Sequence, residues 1–157
     1  MAFLMKSSPR STIVPVLWNV STAVGVNGTN GLEDTWLVQY MLNMSAKSAH
    51  AMDAGMRAKL LALQVTGICD PYTIDCIKAY QTYIKAKNST VVVDGRITSA
   101  PPGLKYGTAY YMIAMVNMTY RDRYWDNWPV ICADSSYADS VITELVYREL
   151  FGTLPPK

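Results

Sequence analysis

The spacing of apolar residues predicts a mainly helical chain. In the first long segment, Leu37, Tyr40 and Met44 recur at intervals of three and four, which places them on one face of a helix. The acidic Asp34 lies at the start of this pattern, where the helix dipole favours negative charge. We expect this first helix to run from Asp34 to about Asn43.

A second helix is predicted over residues 45–62, SAKSAHAMDAGMRAKLLA, because alanine and dispersed charged residues favour helix formation. A break between the first and second helices is expected near Ser45–Ser48.

The stretch LQVTGICDPYTIDCIKAYQTYI, residues 63–84, has the clearest helix start in the chain. Gly67 supplies a turn, Asp70 is a capping residue, and Pro71 suits the first helical position, where its missing N–H is not needed. Ile77 and Ile84 then fall on the inward face, together with Ile74 and either Tyr80 or Gln81.

Extended structure and turns are predicted on both sides of these helices. The run Thr12–Val20 contains Pro15 and suits an edge strand or an arm. Residues 23–33 hold three glycines and two asparagines that supply left-handed turn conformations. Residues 91–98, VVVDGRIT, read as a short extended run that meets an Asp-Gly turn.

Towards the end of the chain, residues 108–128 are apolar on all sides at first and amphipathic afterwards. This pattern favours a buried helix that emerges toward solvent, with a strand as the alternative. A last helix is expected from about Asp134–Ser136 to Phe151, ended by Gly152 and Pro155.

Composition places the chain among globular proteins. Its 157 residues are 50% hydrophobic and 17% charged, with a formal net charge of +2, which argues against disorder and against generic nucleic-acid binding. The 11 tyrosines, 4 tryptophans and 9 methionines are residue types enriched at protein interfaces. No segment has the length of a membrane span, and no signal peptide is recognised.

The candidates for catalytic chemistry are few. His50 is the only histidine and stands in a sequence typical of a helix surface, so no metal site is expected. Cys69, Cys76 and Cys132 lack a nucleophile signature and are interpreted as buried free thiols. The aspartates that could act in a glycosidase, Asp70 among them, already have turn or cap roles. We therefore expect neither an enzyme nor a cofactor.

A cluster of aromatic residues in the second half of the chain offers contact surface. Core and interface packing is the favoured interpretation, with sugar stacking as the alternative. Its members are Tyr106, Tyr110, Tyr111, Tyr120, Tyr124, Trp125 and Trp128.

Two short patterns occur twice. Val65-Thr66-Gly67-Ile68-Cys69-Asp70 and Val93-Asp94-Gly95-Arg96-Ile97-Thr98 share a Val, a polar residue and a Gly, and Val38-Gln39 is echoed by Tyr80-Gln81. This suggests an internal duplication of a helix and a glycine turn. A glutamine facing inward could satisfy backbone groups of such a turn, and Gly95 would supply a positive φ. The residues assigned such structural roles are Gln39, Gly67, Asp70, Gln81, Asp94 and Gly95.

Together these patterns resemble the peptidoglycan-binding-domain family, a small three-helix module. The resemblance covers roughly residues 23–98. The matching elements are Val38-Gln39, Leu42-Asn43, Leu63-Gln64, Val65, Gly67-Ile68, Asp70, Thr73, Ile77, Ala79, Tyr80-Gln81 and Val93-Asp94-Gly95-Arg96. The opening AVGVNGTNGLEDTWLVQYMLN is similar to the variant found in phage particles and contractile injection machinery, and Met115-Val116-Asn117 with the last helix matches a tail region of that variant less closely.

The resemblance implies a three-helix core with glycine-turn repeats at residues 23–104. An N-terminal extended arm at residues 1–22 and a C-terminal helical extension at residues 105–157, packed on the same core, would flank it.

The resemblance also implies a non-catalytic structural protein of a phage particle, of the tail or baseplate type. Such a protein is made in the host cytoplasm and contacts other virion proteins or copies of itself. The alternative is a genuine peptidoglycan-binding module, and a small cell-wall hydrolase is a weaker one. A ligand groove would then lie near Trp36, Tyr40, Tyr72 and Tyr83.

Overall fold

The computed structural model describes residues 1–6, 16–48, 51–101 and 111–123, and in these residues the fold is rich in helix. Four helices have 17, 8, 15 and 12 residues: α1 (Leu32–Ser48), α2 (Ala54–Leu61), α3 (Pro71–Lys85) and α4 (Met112–Arg123). Four short strands form two antiparallel sheets of two strands each: β1 (Phe3–Lys6) with β2 (Val16–Asn19), and β3 (Val24–Gly25) with β4 (Arg96–Ile97).

Helix α1 is the central helix of the fold. From Asp34 to Ala46 every side chain is buried except that of Trp36, which is half-buried, and α1 contacts each of the other three helices. A helix that is buried all round is surrounded by packed elements rather than lying on a surface. The apolar residues at intervals of three and four predicted the helix, but they did not predict its central position in the fold.

The predicted break at Ser45–Ser48 is wrong, because α1 continues through it to Ser48. Ser45 and Ala46 are completely buried, so packing against neighbouring elements sustains the helix where local propensity is weak. The second helix, α2, begins after the capping residue Asp53 and not at the predicted break. Asp53 caps α2, its Oδ1 accepting the backbone N–H groups of Gly55 at 3.0 Å and Met56 at 3.1 Å.

Helix α3 confirms the strongest local prediction. Asp70 is the N-cap residue and accepts the backbone N–H of Thr73 at 2.7 Å, and Pro71 occupies the first turn. Ile77 and Ile84 are buried as expected. Tyr80 and Gln81 are both buried, although the sequence pattern required only one of them, and so are Thr73 and Cys76.

The strands bring distant parts of the chain to the helices. Val16–Asn19 confirms part of the predicted extended run, and Leu17 and Val20 are completely buried in the core. These residues therefore pack as part of the core rather than as a peripheral arm. In the other sheet Val24 pairs with Ile97 and Gly25 with Arg96, so the loop before α1 is held to the turn after α3.

Helix α4 settles the choice between helix and strand for residues 112–123. It contacts α1 and β2, and Ile113 and Val116 are buried. Several parts of the chain for which predictions were made lie outside the described residues. They are the last predicted helix, the residues Thr12–Pro15, His50 and Cys132, and the aromatic residues Tyr106, Tyr110, Tyr124, Trp125 and Trp128. Within the described part of the chain, no helix has both the length and the apolar character needed to cross a membrane.

Candidate binding surface

The first glycine turn is fixed by the side chain of Gln39 on α1. Its Oε1 accepts the backbone N–H groups of Thr66 and Gly67, both at 2.9 Å. Its Nε2 donates to the carbonyl oxygen of Ile68 and to Thr73 Oγ1, also at 2.9 Å. The buried amide thus uses both donors and both lone pairs of its oxygen, which makes Gln39 a scaffold residue with no polar atom left for a ligand.

The second glycine turn repeats this arrangement with Gln81 on α3. Gln81 Oε1 accepts the backbone N–H of Gly95 at 2.8 Å, and Nε2 donates to Asp94 Oδ1 at 2.7 Å and to the Arg96 carbonyl at 2.9 Å. Gly95 has φ of 72°, a conformation that glycine adopts without steric cost. The internal echo in the sequence corresponds to two equivalent glutamine–glycine contacts.

A third glycine connects the two turns. Gly25 has φ of 109°, and its N–H donates to Asn30 Oδ1 at 2.7 Å. The next residue, Val26, donates its N–H to the Gly95 carbonyl at 3.0 Å. The backbone of Gly25 also approaches the sulfur of Cys69, so Gly25 lies beside the Gly95 turn and near the segment that follows Gly67.

Exposed aliphatic side chains flank these turns. Leu32 and Ile68 are each 67% exposed, Val92 is 69% exposed, and Val93 is 36% exposed. Leu32 lies directly over Gly67, because a Cβ built on Gly67 would meet Leu32 Cγ at 3.0 Å. We call these four residues the corner face. Exposed apolar side chains that lie together on a surface are candidates for contact with another protein.

Two carboxylates near the turns serve as caps. Asp70 Oδ1 accepts both Thr73 Oγ1 and the Thr73 N–H at 2.7 Å, and these two bonds lower the pKa of Asp70. Asp94 Oδ1 accepts the Arg96 N–H at 2.9 Å in addition to its bond from Gln81. Both side chains therefore act within their own turns.

Asp34 is a buried carboxylate at the start of α1. Burial raises its pKa, but hydrogen bonds from the hydroxyl and backbone N–H groups of Ser21 and Thr22 outweigh that effect, so the pKa lies below its ordinary value of 3.8. Two of these bonds are 2.7 Å, from Thr22 Oγ1, and 2.9 Å, from the Thr22 N–H. Asp34 thus fixes the approach of residues 21–22 to the central helix.

Replacing Asp34 with asparagine is expected to lower the free energy of unfolding at neutral pH by about 1–3 kcal/mol, because an amide presents an N–H₂ group to the donors of Ser21 and Thr22. A carboxyl group whose pKa is depressed on folding stabilises the protein above its unfolded pKa, and this stability is lost as pH falls through the folded pKa. The variant should therefore lose less stability than the wild type on acidification. Urea unfolding at neutral and acidic pH measures both effects.

Asp75→Asn, at an exposed position of α3, is the control. If Asp34→Asn and the wild type lost the same free energy of unfolding on acidification, this role of Asp34 would be wrong.

The two described thiols are unsuited to nucleophilic chemistry. Cys76 is completely buried, and burial raises its pKa to about 11. Burial also raises the pKa of the half-buried Cys69. Both are free cysteines and are protonated at neutral pH, whereas catalytic cysteines react as thiolates.

The four aromatic residues expected to line a ligand groove are not brought together as one open site. Tyr40 is completely buried, so the prediction that it faces a groove is wrong. Its position on the central helix puts it in the core. Trp36 is half-buried and stacks on Tyr40 with ring centroids 5.4 Å apart.

The remaining two aromatic residues lie on α3 and are partly accessible. Tyr72 is 40% exposed, and its hydroxyl donates to the Lys59 carbonyl at 2.9 Å. Tyr83 is half-buried, with Lys87 Nζ 4.2 Å from its ring centroid. Their positions differ by 11 in the sequence. This corresponds to about 16 Å along the helix axis and places both side chains on nearly the same side of the helix.

Sequence reasoning missed the residues that carry the corner face. Leu32 and Ile68 resemble core residues by type, and only their position over a turn exposes them. It also missed the role of Asn117, whose signal was a single amide in the apolar run MIAMVNM. This buried side chain bonds to the backbone of Trp18.

Comparison with protein-family models, with curated proteins and with solved structures found no match to this chain. Among the described residues, no group of three or more His, Cys, Asp or Glu side chains is arranged to hold a metal ion.

Proposed function

We propose that this protein is a non-catalytic structural component of a phage particle, an adaptor of the tail or baseplate type, built on a peptidoglycan-binding-like fold. The observation that supports it most is the repeated contact between an inward glutamine and a glycine turn. Gln39 and Gln81 hold Gly67 and Gly95 through 2.8–2.9 Å bonds to the glycine N–H groups. These are the residues on which the family resemblance rests.

The residues that distinguish the phage-type variant of the pattern have structural partners as well. Asn30 bonds the N–H of Gly25, and Asp34 bonds residues 21 and 22. Asn30 thus closes the loop of residues 23–31 on itself, and Asp34 joins the segment before that loop to the central helix. These motif residues bond to groups of the protein itself. This supports an interpretation in which the peptidoglycan-binding-like fold serves as a structural framework.

The chemistry of the described residues supports a binding role over catalysis. The carboxylates of Asp34, Asp70 and Asp94 each accept hydrogen bonds from their own loops or caps. A general acid or nucleophile must instead reach a substrate within hydrogen-bond distance. The glutamine side chains that hold two of the glycine turns are buried, whereas the aliphatic side chains of Leu32, Ile68 and Val92 are mostly exposed to solvent.

In this proposal the corner face is the surface that another virion protein covers. Ile68→Asp and Leu32→Asp place a carboxylate on it at positions that are already 67% exposed, so the fold should tolerate both. The amount of variant per particle should fall about tenfold or more, because a buried unpaired carboxylate costs more than the roughly 1.4 kcal/mol that corresponds to tenfold. Quantitative mass spectrometry of particles purified from a complemented host measures this.

Ala58→Asp is the matched control, since it adds the same group at an exposed position of α2 outside the corner face. It should enter particles at the wild-type level. Absence of the wild-type protein from purified particles would contradict the proposed function, and equal incorporation of Ile68→Asp and Ala58→Asp would contradict the assigned surface.

A cell-wall binding module is the second candidate, favoured by the accessible Tyr72 and Tyr83 on one side of α3. Tyrosine rings at such positions can stack on sugars. Retention of the purified protein on isolated sacculi, lost in Tyr72→Ala, would favour this candidate. A cleared zone on a gel containing cell wall would favour a hydrolase instead.

A further inference from the structure

Among the described residues, the two outer edges of the β1–β2 pair differ, because one is bonded by a side chain and the other has no partner. Phe3 is paired with Asn19, Leu4 with Trp18, Met5 with Leu17 and Lys6 with Val16. A hairpin of two strands has two outer edges, and each carries a row of backbone N–H and C=O groups that need partners.

The outer edge of β2 is closed by a side chain. Asn117 of α4 accepts the N–H of Trp18 at its Oδ1 and donates from Nδ2 to the Trp18 carbonyl, both at 2.8 Å. Nδ2 also donates to the Ile113 carbonyl at 2.7 Å, which holds the amide in this orientation. The side chain of Asn117 thus takes the place that a further strand would occupy.

This contact fixes the direction of the backbone groups on β1. In an antiparallel pair, two residues opposite each other direct their N–H and C=O groups either toward one another or both away. Because Trp18 directs its groups to Asn117, its partner Leu4 directs its own groups to the outer edge of β1. Among the residues that the structure describes, none hydrogen-bonds to that edge.

We propose that β1 pairs with β1 of a second copy of this chain, antiparallel about a two-fold axis through Leu4. This inference rests on the proposed function and specifies one of its contacts. The two Leu4 residues would exchange both backbone hydrogen bonds, and Phe3 would lie opposite the partner's Met5. Lys6 would lie opposite the partner's Ala2, so the register brings no two lysines together.

A second copy is favoured over an unrelated strand as the partner of β1, because pairing between two copies gives a closed, symmetric dimer. Two β1 edges are self-complementary and produce a four-stranded sheet in the order β2, β1, β1, β2. In each outer strand Asn117 already bonds the outward N–H and C=O groups of Trp18, which disfavours the addition of a further strand and favours a closed dimer with two-fold symmetry. Phe3, which is 40% exposed, and Met1, which is 70% exposed, would provide apolar contact area beside the new ladder.

Leu4→Pro tests this contact, since proline removes the outward N–H without removing a hydrogen bond to β2. Leu4→Val keeps the N–H and is the matched control. Light scattering after size exclusion, with a tag only at the C-terminus, should give a dimer for wild type and Leu4→Val. Leu4→Pro should show half that mass and an unchanged helical circular dichroism spectrum.

Hydrogen exchange at the Leu4 amide of the wild-type protein provides a measurement that does not depend on a variant. Protection should rise with protein concentration, in step with the mass. A wild-type monomer at every concentration would overturn the proposal, as would protection that does not change with concentration, because a segment of the same chain would then cover the edge. A monomer that still enters particles would overturn only this inference and leave the proposed function in place.

Discussion

Gly25→Ala is expected to lower the free energy of unfolding by roughly 3 kcal/mol or more. A Cβ at this position would lie 2.0 Å from the Gly95 carbonyl oxygen and 3.1 Å from the Arg96 Cα. Both contacts are with backbone, so no side-chain rotation relieves them. In addition, φ of 109° lies outside the conformations that alanine adopts readily. Guanidinium unfolding followed by circular dichroism measures the loss.

Gly55→Ala is the control for this prediction. Gly55 lies in the first turn of α2, and a Cβ there would have only Asp53 Oδ1 nearby, at 3.3 Å. The free energy of unfolding should change by less than about 1 kcal/mol. If Gly25→Ala proved as stable as Gly55→Ala, the close approach between the loop before α1 and the turn after α3 would be wrong.

Gln39→Leu is the second substitution with a large expected effect, again roughly 3 kcal/mol or more. Leucine is similar in size, but it leaves the N–H groups of Thr66 and Gly67 and the Ile68 carbonyl without their partner. Each buried polar group that loses its hydrogen bond costs about 1–3 kcal/mol. Chemical denaturation gives the total loss, and hydrogen exchange at Thr66 and Gly67 shows whether it is localised at the turn.

Gln64→Leu provides a matched comparison. Gln64 is exposed and donates one hydrogen bond, to the Ala62 carbonyl at 3.3 Å. The change should cost less than about 0.5 kcal/mol. Unchanged protection of the Thr66 and Gly67 amides in Gln39→Leu would indicate that some other group fixes this turn.

Local chemistry made parts of the fold predictable. The start of α3 follows from Asp70 and Pro71, whose capping and conformational preferences act within one turn of helix. The turn at Gly67 and the positive φ of Gly95 were likewise expected from a glycine between two structured segments. In both cases the residues that determine the structure are neighbours in sequence.

Long-range packing explains what the sequence pattern did not predict. The continuation of α1 through Ser45 depends on burial by other elements. The pairing of Val24 with Ile97 and the bond between Asn117 and Trp18 join residues far apart in the chain. The spacing of apolar residues does not predict such contacts. It indicates which face of a helix or strand is buried, but not which other helix or strand packs against that face.

The candidate surface was harder to predict than the scaffold for the same reason. Tyr40 was expected near the groove of a peptidoglycan-binding module, yet it lies on α1, which contacts the other three helices, and it is completely buried. Ile68 belongs to a residue type that is usually buried, and it is exposed because it follows a sharp turn at Gly67. Exposure of this kind depends on the three-dimensional position of the turn.

We propose that a framework of glycine turns held by glutamine side chains displays an apolar surface to another virion protein. A cryo-electron microscopy map of the assembled particle tests it most directly. We expect this chain to occupy defined positions in the tail or baseplate, with Leu32 and Ile68 covered by a neighbouring protein. A map in which the chain is present but these side chains face solvent, or in which the chain is missing from the particle, would contradict it.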